Sequence, residues 1–60
     1  MKPQKRKALL VELGITQASI AYDLGINPSV VSRVLAGKAT SRRVQEYIAC
    51  KVNMSYELLW

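Results

Sequence analysis

Within three residues, Gly25, Ile26 and Asn27, the chain ends one helix and begins another. Gly25 can take the left-handed conformation that closes a helix without a Cβ clash. Asn27 is a favoured N-cap, Pro28 suits the first helical position, and Ile26 can staple onto Val31 across that start. Upstream, Thr16 caps a helix start of its own, with Ile15 placed to pack on Ile20. Residues 16–36 are therefore confined to two short helices joined at a tight glycine corner, and the rest of the chain has to pack around that corner.

Helical phase assigns the faces. At about 100° per residue, Ile20, Ala21 and Leu24 share a side with Gln17, while Ser19, Tyr22 and Asp23 point away. In the second helix Val30, Val31, Val34 and Leu35 fall on one side, and Ser29, Ser32, Arg33 and Ala36 on the other. That outward face is small and polar with one arginine. It suits a helix lying in the major groove of duplex DNA, where small residues permit close approach and an arginine can donate two hydrogen bonds to guanine. Base reading is expected chiefly from Arg33 and Ser29, with Ser32 beside them and Asn27 touching base or phosphate at the helix start. The bland alternative is a plain helical hairpin in a small bundle.

The pattern Gln17, Ala21, Gly25, Val31, with apolar residues at Ile20, Leu24, Ile26 and Val34, resembles the helix-turn-helix of the phage repressor and Cro-like (lambda-repressor-like) family. The ending Glu57-Leu58-Leu59-Trp60 is similar to that of small Ner-like phage regulators. The resemblance implies an all-α, compact four- to five-helix DNA-binding domain over residues 1–60. It implies a transcriptional regulator, of repressor type, that binds paired half-sites as a homodimer, and it implies that Gln17 anchors the phosphate backbone.

The remaining residues agree with an anionic partner. Sixty residues make one domain near the lower limit for independent folding, with no room for an enzyme cleft and its supporting shell. The formal charge is +5, and no acidic residue occurs from Leu24 to Gln45, where Arg33, Lys38, Arg42 and Arg43 all lie. Lys38, Thr40, Ser41, Arg42 and Arg43 surround the start of the next helix, whose free amides and positive dipole end favour phosphate. The competing reading pairs Arg42 with Glu46, four residues on. The cluster Lys2, Lys5, Arg6 and Lys7 is equally a basic arm along the phosphate backbone or a solvated terminus.

Outside the central pair, a first helix is expected from about Lys5 to Leu13, with Leu9, Leu10 and Leu13 inward, Val11 outward and Gly14 ending it. A later one is expected from about Arg42 to Val52, capped by Thr40 or Ser41, with Val44, Ile48 and Val52 inward, Tyr47 at the flank and Cys50 outward. Asn53 should end it, and Ser55 should cap a last turn over Tyr56 to Trp60, with Met54, Leu58 and Trp60 closing the core. Phenylalanine is absent, so the core must be aliphatic.

Catalysis finds no support: there is no histidine, and Glu12, Asp23, Glu46 and Glu57 are dispersed without paired or metal-ligand spacing. One cysteine, Cys50, makes neither an internal disulfide nor a zinc site, which points to a reduced, cytoplasmic setting with no metal or cofactor. The apolar run from Ala8 to Val11 is too short for a signal core or a membrane span. No small-molecule ligand is expected. Two other classes stay open: a protein-binding adaptor or antirepressor using an apolar patch around Val11 or around Leu59 and Trp60, and the DNA-binding part of a longer regulator.

Overall fold

In the computed structural model, which describes residues 1–60, five helices follow one another without strands: α1 (Pro3–Glu12), α2 (Gln17–Leu24), α3 (Pro28–Leu35), α4 (Arg42–Lys51) and α5 (Tyr56–Leu59). Local chemistry sets their ends. Thr16 Oγ1 accepts the Ser19 amide at 3.0 Å and Asn27 Oδ1 accepts the Ser29 amide at 2.9 Å, so both expected caps form. Proline stands in the first turn of α3, as expected, and of α1, which therefore starts two residues before Lys5. At α4 the cap position belongs to Ser41 rather than Thr40, and its hydroxyl makes no capping bond.

One device closes four of the helices. The Ile26 amide reaches back to the Ala21 carbonyl at 3.0 Å, while Gly25, at φ 67°, donates to Tyr22 at 3.2 Å. The same pair of bonds recurs at the ends of α1, α3 and α4, where the longer bonds run Ile15 to Leu10, Lys38 to Arg33 and Met54 to Ala49. The left-handed residue is glycine at three of these ends and Asn53, at φ 59°, at the fourth. Asparagine tolerates that conformation better than other side chains.

The core is aliphatic, as the missing phenylalanine requires: Leu10, Ile20, Ala21, Val31, Val34, Leu35, Val44, Ile48, Ala49, Val52 and Leu59. The most extensive helix pairing is α2 on α3. Ala21, 1 % exposed, is small enough to allow it. α1 packs on α3 from one side, and α4 joins α3 to α5. The radius of gyration, 10.1 Å, matches the ~10 Å expected of a compact chain of this length. No helix is long and apolar enough to cross a membrane.

Four expectations about faces are corrected. Leu13 is exposed because α1 stops at Glu12 and the chain turns away at Gly14. Val30 is exposed because the buried stripe of α3 centres on Val31, Val34 and Leu35, which leaves it at the rim. In α5, Leu59 is buried and Leu58 exposed, so Leu59 joins Met54 and Trp60 in covering the core. Arg6, expected in a basic arm or a solvated terminus, is buried. Its phase along α1, one turn before Leu10, turns it inward.

The Arg6 guanidinium donates from Nε and Nη2 to the Leu35 carbonyl at 3.2 and 2.9 Å, and from Nη1 to the carbonyls of Leu59, at 3.4 Å, and Met1. It stands 4.5 Å from the centre of the Trp60 ring. No carboxylate accompanies it. Burial lowers its pKa from the ordinary value, but arginine keeps its charge in proteins. A polar seam continues from there: Trp60 Nε1 donates to the Gln45 carbonyl at 2.9 Å, and Tyr56 Oη donates to Gln45 Oε1 at 2.9 Å. Gln45 is itself buried, three residues before Ile48 on the inner face of α4.

Candidate nucleic-acid interface

The surface holds no pocket and no group of three metal-ligating side chains, and the candidate interface is the outer face of α3. Val31, Val34 and Leu35, at 0–1 % exposure, clamp α3 to the core. That leaves Ser29, Val30 and Arg33 exposed on its outer side, with Ser32 and Ala36 half-buried at the margins. Arg6, Arg42 and Arg43 each have an acceptor within the chain, whereas the Arg33 guanidinium has none. A planar, five-donor group held at the surface without a partner is free to take a bidentate acceptor such as the Hoogsteen edge of guanine.

Asn27 is partly committed. Its Oδ1 caps the Ser29 amide, which leaves Nδ2 as the group available to a base or phosphate. The Ser29 hydroxyl has no partner of its own. Gln17 lies half-buried at the first position of α2, and its amide makes no hydrogen bond within the chain.

Beyond α3, the expected cluster divides. Lys38 is exposed without a partner, and Thr40 and Ser41 precede the first turn of α4, which carries no acidic side chain. Arg42 instead donates to Glu46 Oε1 at 2.8 Å and lies 4.2 Å from the Tyr56 ring centre, so the competing ion-pair reading holds for this residue. The hydrogen bond to Glu46, and Tyr56 after it, raise its pKa. Arg43 Nη2 donates to the Leu24 carbonyl at 3.1 Å and so satisfies the end of α2. Of the basic side chains expected there, Lys38 is the one left unengaged. At the N-terminus, Lys5 and Lys7 are exposed and point apart from the buried Arg6.

A second strut ties α4 to α2: Tyr47 Oη donates to Asp23 Oδ2. That bond is the main reason the Tyr47 phenol is pushed up to about 12, with desolvation and the Asp23 charge adding to it. A phenol raised above its ordinary value of about 10 favours the fold while protonated. Its contribution is complete below pH ~10 and is lost as pH rises through the folded-state value. Spectrophotometric titration should therefore show a last phenolate step near pH 12, and Tyr47→Phe should remove it. If that step survives the substitution, the strut does not form.

Together Arg43 and Tyr47 tie α4 to the end of α2. Sequence reasoning missed these struts because both join residues about twenty positions apart. It missed Arg6 although a signal was present: Arg6 shares the face of Leu10, where a solvated arm residue does not belong. Comparison of the chain with protein-family models, with curated protein sequences and with solved structures found no match.

Proposed function

We propose that the chain is a sequence-specific regulator that lays α3 in the major groove of double-stranded DNA. The observation that carries this reading is the outer face of α3, where Arg33 stands without a partner between small side chains on a helix held firmly from behind. Supporting it is the charge pattern, with no acid from Leu24 to Gln45 and a formal +5 overall. The order of helices around Gly25 agrees with the lambda-repressor-like resemblance, and repression by a homodimer on paired half-sites is the mode of action that resemblance suggests.

In this reading Arg33, Ser29, Ser32 and the Asn27 amide face base edges. Lys38, Gln17 and the first-turn amides of α4 behind Thr40 and Ser41 hold phosphates on either side. Arg42 and Arg43 act mainly on the fold. The function is one of binding, without catalysis or cofactor. Lys38→Ala should weaken binding to every duplex and reduce the slope of log K against log salt by about one. An unchanged slope removes Lys38 from the phosphate contacts.

The deciding experiment is selection from a randomised duplex pool at two salt concentrations, followed by sequencing of what stays bound. An enriched motif with inverted half-sites supports a dimeric regulator. Salt-sensitive retention without a motif reduces the function to non-specific coating. A second reading, a protein-binding adaptor or antirepressor, is favoured by the exposed side chains of Val11, Leu13 and Leu58. Of the other patch this reading could use, Leu59 is buried and Trp60 half-buried. Absence of binding to any duplex at low salt would select this reading.

A further inference from the structure

The outer face of α3 is not wholly polar. Val30 is 38 % exposed, the one large apolar side chain exposed on that helix, beside core residues of the same helix at 0–1 %. It flanks Arg33, three residues away, and follows Ser29. The chain leaves this outer part of it open to solvent. Its surroundings carry positive charge without any acid between Leu24 and Gln45, so the occupant that complements this face is polyanionic with an apolar feature exposed in its groove.

Duplex DNA offers one such feature in the major groove, the C5-methyl group of thymine. We propose that Val30 reads a thymine methyl within one or two base pairs of the guanine taken by Arg33. The inference rests on the DNA-binding reading and deepens it by naming a second base. The spacing fits: three residues along a helix advance about 4.5 Å, close to the ~3.4 Å rise between base pairs. The side chain fits as well. A β-branched residue in a helix holds one χ1 rotamer, so Val30 presents its methyl groups with little entropy left to lose. Arg33 supplies the polar half of the readout and Val30 the apolar half, and each half-site should contain both a guanine and a thymine.

The test uses the duplex enriched from the randomised pool, with each thymine replaced in turn by deoxyuridine, which removes the methyl group and nothing else. At one thymine per half-site the wild-type protein should bind the uracil duplex about fourfold more weakly, the factor for one buried methyl group. Val30→Ala should bind the thymine and uracil duplexes equally, because the partner of that methyl is gone. Val30 is exposed and alanine is the better helix former, so this variant keeps the fold. A selected motif with no uracil penalty at any position overturns the assignment, as does a penalty that persists unchanged in Val30→Ala. If no motif is enriched at all, the sequence-specific reading fails and takes this inference with it.

Discussion

Arg6→Ala is expected to leave most of the chain unfolded at 25 °C. The substitution removes every donor that meets the Leu35 and Leu59 carbonyls from the guanidinium, and it strips the face of Trp60 of its cation. Hydrogen bonds to a charged group contribute about 1.5–3 kcal/mol each, and an orphaned buried carbonyl adds a desolvation cost. A loss of roughly 3–5 kcal/mol follows, comparable with the whole stability that a core of this size supplies. Arg6→Lys should recover part of it, since an ammonium keeps the charge but cannot span two acceptors as the planar fork does. Lys5→Ala and Lys7→Ala, on exposed neighbours, should stay within about 0.5 kcal/mol of the parent. Urea titration followed by circular dichroism separates the three cases. An unchanged midpoint in Arg6→Ala would return that residue to the solvated arm.

Arg33→Ala should do the opposite, leaving the fold intact and damaging recognition. The side chain is exposed and touches no acceptor in the chain, so the urea midpoint should not move. Loss of a bidentate contact to guanine costs about 1–3 kcal/mol, or about 5- to 150-fold in affinity for the selected site. Binding to random duplex should fall only by the small amount that one exposed charge contributes. Selection repeated with the variant should relax at one base pair and remain sharp elsewhere. If affinity for selected and random DNA falls by the same factor, Arg33 is a phosphate contact and base reading has to be sought in Ser29 and Asn27.

The contrast between these two arginines shows what a sequence makes legible. Where a boundary depends on four or five consecutive residues, as at Thr16, Gly25 and Asn27-Pro28, the reading and the structure agree because the hydrogen bonds involved are equally local. The buried stripes of α2 and α4 also follow from phase. Phase fails at two kinds of place, and at a third, Arg6, it is right where charge alone suggests solvent. Val30 lies at the rim of its stripe, where a small rotation of α3 on the core decides exposure. Leu58 and Leu59 sit in a four-residue helix too short to display a period. Arg6 carries a charge, and what overrides the usual exclusion of charge from a core is a set of carbonyls supplied by the ends of other helices. In the candidate interface, Ser29 and Arg33 emerge where phase put them and Lys38 is exposed in the following loop, but Arg42 turns to Glu46 and Arg43 to Leu24. Arg42 finds its acceptor one turn along its own helix, as the four-residue spacing allows, whereas the acceptor of Arg43 comes from a distant segment.

The Arg6 clamp also bears on how fast the fold is gained and lost. The brackets that close α1 to α4 each span five residues or fewer, so they form on the timescale of single helices. The guanidinium bonds bridge 29 and 53 residues, and the entropy of closing such loops places them after the helices have met. Contacts made after the rate-limiting step act on the unfolding limb. Weakening the clamp should shorten the lifetime of the folded chain while barely slowing its return, so a buried side chain near the start of the chain contributes to how long the native state persists.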